Sequence, residues 1–92
     1  MPYIKQNDRS KFEPMLELAP DIKTAGELNY LFTELAINYV QQHGLSYQTI
    51  AEVMSSFHCA GLEFYRKLAA PYEDVKSADN GDVYKVLLDT SK

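Results

Sequence analysis

The sequence has no tryptophan and a single cysteine, Cys59. One thiol cannot close an internal disulfide, so a reducing cytoplasm is the expected setting. No apolar run approaches the ~18 residues that a membrane-spanning helix needs. The first residues, Met1-Pro2-Tyr3-Ile4-Lys5, lack the apolar stretch of a secretory leader. Basic charge is also scarce. Nine Lys and Arg stand against 13 Asp and Glu, a formal net charge of −4, which is the wrong sign for a general phosphate-backbone binder. Nor is there a G-x-S-x-G elbow, a phosphate-binding loop or a dinucleotide fingerprint. No pair of His or Cys has metal-ligand spacing, and the neighbours His58 and Cys59 point about 100° apart on a helix. No cofactor, no metal and no catalytic residue are therefore expected, and general nucleic-acid and membrane partners are excluded.

What is present is helical patterning. Ninety-two residues make one domain, with a modest core that gains from a partner surface. Over residues 46–70, Ile50, Val53, Met54, Phe57, Gly61, Phe64, Tyr65 and Leu68 recur at three- and four-residue steps. That spacing predicts a helix of about six turns with one apolar face. Ser46 is placed to cap its start, and Pro71 to end it. Gly61 lies mid-helix on the apolar face, where it costs about 1 kcal/mol against Ala, so a close backbone approach is expected there.

Thr24-Ala25-Gly26-Glu27 reads as a capping box that opens a helix over residues 24–43, with Gly44 stopping it. Leu28, Leu31, Phe32, Leu35 and Tyr39 take one side, while Tyr30, Ile37 and Val40 lie well round from it. One antiparallel neighbour cannot cover so wide an apolar surface. Tyr30, Ile37, Val40 and Gly61 are thus the interface candidates of a homo-oligomer. The short link Gly44-Leu45 predicts an antiparallel hairpin between the two long helices.

The flanks are shorter. Residues 1–9 read as an extended arm, and residues 10–19 as a short helix capped by Ser10, with Pro14 in its first turn. Beyond Pro71, residues 71–92 form a tail: one further helical turn, the turn Asp79-Asn80-Gly81-Asp82, then a short extended segment from Val83. The expected fold is all-α, as a single helical domain.

Two polar constellations carry rival functions. Arg66 and Tyr65 lie near Tyr72, Glu73 and Asp74 in sequence, and an Arg–aromatic surface can grip a base and its phosphate. With Arg9 these give the candidate nucleotide site Arg9, Tyr65, Arg66 and Tyr72. The blander expectation pairs Arg66 with Glu73 or Asp74 to fix the tail. Glu27, Glu34, Glu52 and Glu63 form the other set, the nearest approach to a magnesium-dependent nucleotide pyrophosphatase on a helical hairpin. The dense acidic pairs of such enzymes are absent, and Glu63 has Lys67 as an ordinary helical neighbour.

The blocks Tyr3-Ile4-Lys5-Gln6-Asn7-Asp8-Arg9, Ala25-Gly26-Glu27-Leu28-Asn29-Tyr30, Leu62-Glu63-Phe64-Tyr65-Arg66, Pro71-Tyr72-Glu73-Asp74 and Asn80-Gly81-Asp82-Val83-Tyr84 resemble a family of small uncharacterised proteins from phages and bacteria. The resemblance runs from Tyr3 to Tyr84 and brings no activity with it. It implies a phage setting in the cytoplasm of a host bacterium, where small proteins act by binding. The expectation is a non-enzymatic protein that binds a host defence or replication factor. The alternatives are a sponge for a signalling nucleotide and the metal-dependent hydrolase.

Overall fold

In the computed structural model, which describes residues 2–88, the protein is all-helical, with no strand among the described residues. Its α-helices are α1 (Gln6–Arg9), α2 (Glu13–Glu17), α3 (Ala25–His43), α4 (Tyr47–Phe64), α5 (Ala70–Asn80) and α6 (Lys85–Leu88). A 3-10 turn, Ser10–Phe12, precedes α2, and a π turn, Tyr65–Ala69, joins α4 to α5. The chain divides into two compact units, Met1–His58 and Cys59–Lys92, with the division inside α4.

In the first unit helix begins earlier than expected, because residues 6–9 are helical and not an extended arm. The Asp8 N–H donates to the Lys5 carbonyl at 2.9 Å, and Arg9 Nε to the Ile4 carbonyl at 2.8 Å. Ser10 does not cap; its hydroxyl donates back to the Asn7 carbonyl at 3.0 Å. Pro14, with no N–H, cannot bond the Ser10 carbonyl four residues back, and the Glu13 N–H takes that carbonyl instead. The substitution tightens residues 10–12 into a 3-10 turn.

α3 opens as its sequence dictates. Thr24 is extended, and its hydroxyl accepts the Glu27 N–H at 3.1 Å. Glu27 reaches back one residue further than the usual box, accepting the Lys23 N–H at 2.8 Å. At the far end Gly44 has φ +87°, a conformation in which a Cβ is strained.

The link into α4 is held by two side chains. The Thr49 N–H donates to Ser46 Oγ at 3.1 Å, and the Ser46 N–H to Thr49 Oγ1 at 3.0 Å. Thr49 Oγ1 also donates to the Gly44 carbonyl at 2.8 Å. Thr49 is 6% exposed, the buried polar residue of the described chain. The following residues return antiparallel to α3. Tyr39 meets Glu52 at 2.8 Å, and Phe32, two turns earlier, meets Phe57, more than one turn later, with ring centroids 6.5 Å apart.

In the second unit the helix does not stop before Pro71. The π turn carries it through, and residues 47–80 form one helical run of about 34 residues. Pro71 lacks an N–H and its ring clashes with the carbonyl four residues earlier. The wider π turn, in which the Ala70 N–H bonds the Tyr65 carbonyl five residues back, relieves that clash. Gly81, at φ +95°, ends α5.

The described part of the tail is helical, not extended. Asp82 Oδ1 accepts the Tyr84 N–H at 2.8 Å, and the Leu87 and Leu88 N–H groups bond the Tyr84 carbonyl at 2.9 and 3.1 Å. Val83 and Val86 favour a strand, but a strand needs a neighbour to take its backbone groups. A local turn satisfies them without one. Residues 89–92 of the expected tail lie outside the described residues.

Candidate functional site

In the first unit the seam between α3 and α4 is open on one side. Phe32, Leu35, Ala36 and Tyr39 follow i, i+3, i+4, i+7 spacing, and Val53, Ser56 and Phe57 answer them from α4. Together they line a groove of ≈ 280 Å³ with no charged residue in its wall. Such spacing ordinarily marks a helix face turned into a core. Here Phe32 is 47%, Leu35 51% and Phe57 47% exposed.

The groove has one polar fixture. Tyr39 donates to Glu52, which also accepts from Gln48 Nε2 at 3.3 Å. The hydrogen bond to Glu52 holds the Tyr39 pKa above its ordinary value, helped by desolvation and by the carboxylate's negative charge. The Tyr39 ring also lies 4.4 Å from that of His43. Sequence spacing identifies Phe32, Leu35, Val53 and Phe57 as a packing face, yet it does not reveal that the face stays half exposed. The Tyr39–Glu52 pair was also missed, although a hairpin centred on Leu45-Ser46 sets the two opposite each other.

The interface candidates are all accessible. Tyr30 is 62% exposed and, with Pro20, Ile22 and Leu31, lines a second concavity of ≈ 460 Å³ where residues 20–22 meet the start of α3. Ile37 is 44% exposed and Val40 is half-buried. At Gly61 a Cβ would meet nothing within 4 Å, so no close backbone approach occurs there within the described chain.

The nucleotide candidates are divided between the two units. Arg9 belongs to the first unit and donates to the Ile4 carbonyl. The other three belong to the second. Arg66 forks onto Glu63 of its own helix, at 2.6 and 3.1 Å, where Glu73 or Asp74 was the expected partner and Lys67 the expected neighbour of Glu63. The i, i+3 spacing puts the Glu63 carboxylate within reach on the same helix. Tyr72 lies under the Lys76 ammonium, 5.6 Å from its ring centroid. Tyr65, on the π turn, lines a concavity of ≈ 850 Å³ together with Glu73, Asp74, Lys76, Asp82 and Tyr84. Three carboxylates against one ammonium make that wall unfavourable to a phosphate.

Three of the four carboxylates of the hydrolase alternative (Glu27, Glu34, Glu52 and Glu63) have local duties. Glu27 completes a cap, Glu52 takes the Tyr39 hydroxyl, and Glu63 holds Arg66. Among the described residues no group of three or more His, Cys, Asp or Glu is disposed to hold a metal. Cys59 is a free, half-buried thiol. No helix among the described residues is long and apolar enough to cross a membrane.

No curated protein and no solved structure matches the chain. A family does, over residues 1–83, a span that ends one residue before Tyr84. The chain belongs to the DUF6899 family, a domain of unknown function.

Proposed function

We propose that this protein is a non-enzymatic binding protein of phage type, working in the cytoplasm of a bacterial host as a homo-oligomer that docks on a host defence or replication protein. One observation carries the reading: among the described residues no apolar side chain is buried. A helical chain with Phe12, Phe32, Leu35, Phe57 and Leu68 all more than 40% exposed has surface to give to other polypeptides. Enzymes, in contrast, hold their reacting groups in a water-excluding cleft on a packed scaffold. The groove wall here has no titratable cluster, and its Ser56 hydroxyl donates to the Glu52 carbonyl of its own helix.

The nucleotide-sponge reading draws support from one feature, the placement of Tyr65 on a π turn at the edge of a large concavity. π turns recur at functional sites. The acidic wall weighs against it. Native mass spectrometry of the protein purified from its own host cells separates the readings. The expected result is a multimer that retains a host polypeptide. A multimer carrying a nucleotide-sized mass would replace this reading with the sponge. Magnesium-dependent loss of a nucleoside triphosphate, abolished by Glu63→Gln, would overturn the non-enzymatic reading.

A further inference from the structure

We infer that the α3–α4 groove of the first unit is closed by the same groove of a second copy, two hairpins related by a two-fold axis forming a four-helix core. The inference rests on the homo-oligomer reading and names the surface that does it.

Three observations converge on this occupant. The first is area. Leu28, Phe32, Leu35, Ile50 and Phe57 share the groove side of their helices and are each between 41% and 51% exposed. At about 150–250 Å² for an aromatic side chain, and somewhat less for an aliphatic one, they leave roughly 400 Å² of apolar surface per chain. Two copies bring about 800 Å² of apolar surface together, and with the polar rim that makes up about 40% of an interface the total passes the ~1,000 Å² where specific interfaces begin.

The second is charge. Isologous pairing sets a patch against a copy of the same patch, so a wall of one charge would meet its own sign. This wall has no charge at all, and its polar members are the Tyr39 and Ser56 hydroxyls. Both have partners within the chain, in Glu52 and in the Glu52 carbonyl at 2.8 Å. A two-fold axis through the groove therefore sets no charged wall residue against its own copy.

The third is the missing core. A transient partner docks on a domain that is already folded, whereas the described residues of the first unit bury no apolar side chain. Its core must arrive with the partner, and a second copy of the chain is present whenever the chain is made. Obligate interfaces of this kind resemble a domain core cut in half. The i, i+3, i+4, i+7 spacing of Phe32, Leu35, Ala36 and Tyr39 is the pattern by which such helices interdigitate.

The test uses the full chain. Sedimentation of the wild type, Leu35→Ala, Leu35→Lys and Leu35→Glu measures assembly, with circular dichroism reporting the fold. Leu35→Ala is expected to weaken assembly about tenfold while keeping helix content at high concentration. Leu35→Lys and Leu35→Glu are each expected to lose assembly, and their equimolar mixture to regain it through opposite charges across the seam. A folded monomeric wild type would overturn the inference. So would a Leu35→Ala chain that assembles like the wild type. Assemblies that lose the host polypeptide but keep this Leu35 dependence would overturn the host-binding reading and leave the inference standing; a monomer that still captures the host protein would overturn the inference and the homo-oligomer and leave host binding standing.

Discussion

At the scale of single residues, Thr49 holds the most concentrated set of bonds in the chain. Its hydroxyl accepts the Ser46 N–H and donates to the Gly44 carbonyl, closing the link between α3 and α4. Thr49→Val keeps the shape and strands both backbone groups, so it is expected to cost about 1–3 kcal/mol in urea unfolding. A wild-type midpoint in that variant would show the link to be held elsewhere. Tyr39 makes a pH-dependent contribution. Its folded pKa lies above the unfolded value because Glu52 accepts a hydrogen bond from the protonated phenol. The stabilisation is thus fully present below about pH 10 and is lost as pH rises through the folded pKa. Phenolate absorbance is expected to show one tyrosine titrating late, and Tyr39→Phe to remove that component. Part of this scale is legible in the sequence. Thr24, Glu27, Gly44 and Ser46 act within four residues of themselves, so their roles can be read directly. Arg66 cannot be read this way, since Glu63, Glu73 and Asp74 were all in sequence range and only geometry selects Glu63.

At the scale of elements, two prolines bend the same rule in opposite directions. Pro14 is preceded by a tightened 3-10 turn and Pro71 by a widened π turn. Sequence marks both as helix boundaries, because the missing N–H is certain and the response of the preceding turn is not. The response depends on whether the next residues profit from continuing as helix, and α5 does. Pro71→Ala is expected to restore regular α-helix over residues 65–69 and to slow amide exchange there. Unchanged exchange would mean that the π turn has another cause. The tail failed to read for a related reason. β-branched residues at 83 and 86 describe what a strand needs, and the described residues offer no neighbouring strand to supply it. Gly61 separates isolated chain from assembly. Gly61→Ala meets open space and is expected to add about 1 kcal/mol of helix stability if nothing packs there. A loss of assembly in that variant would place a second backbone against Gly61.

At the scale of the whole molecule, periodicity identified the helices and their apolar faces, but burial is a property of what covers a face. Nothing in one sequence states whether Phe32 and Phe57 are covered from within or from without. The described residues leave both about half exposed, with no apolar side chain buried. A chain that owes its core to another copy has a stability tied to its own concentration. The most direct measurement is therefore thermal unfolding of the purified full-length protein across on the order of a hundredfold range of concentration. The account predicts a cooperative transition whose midpoint climbs steadily with concentration. A midpoint that stays fixed, with a monomer throughout, would contradict it.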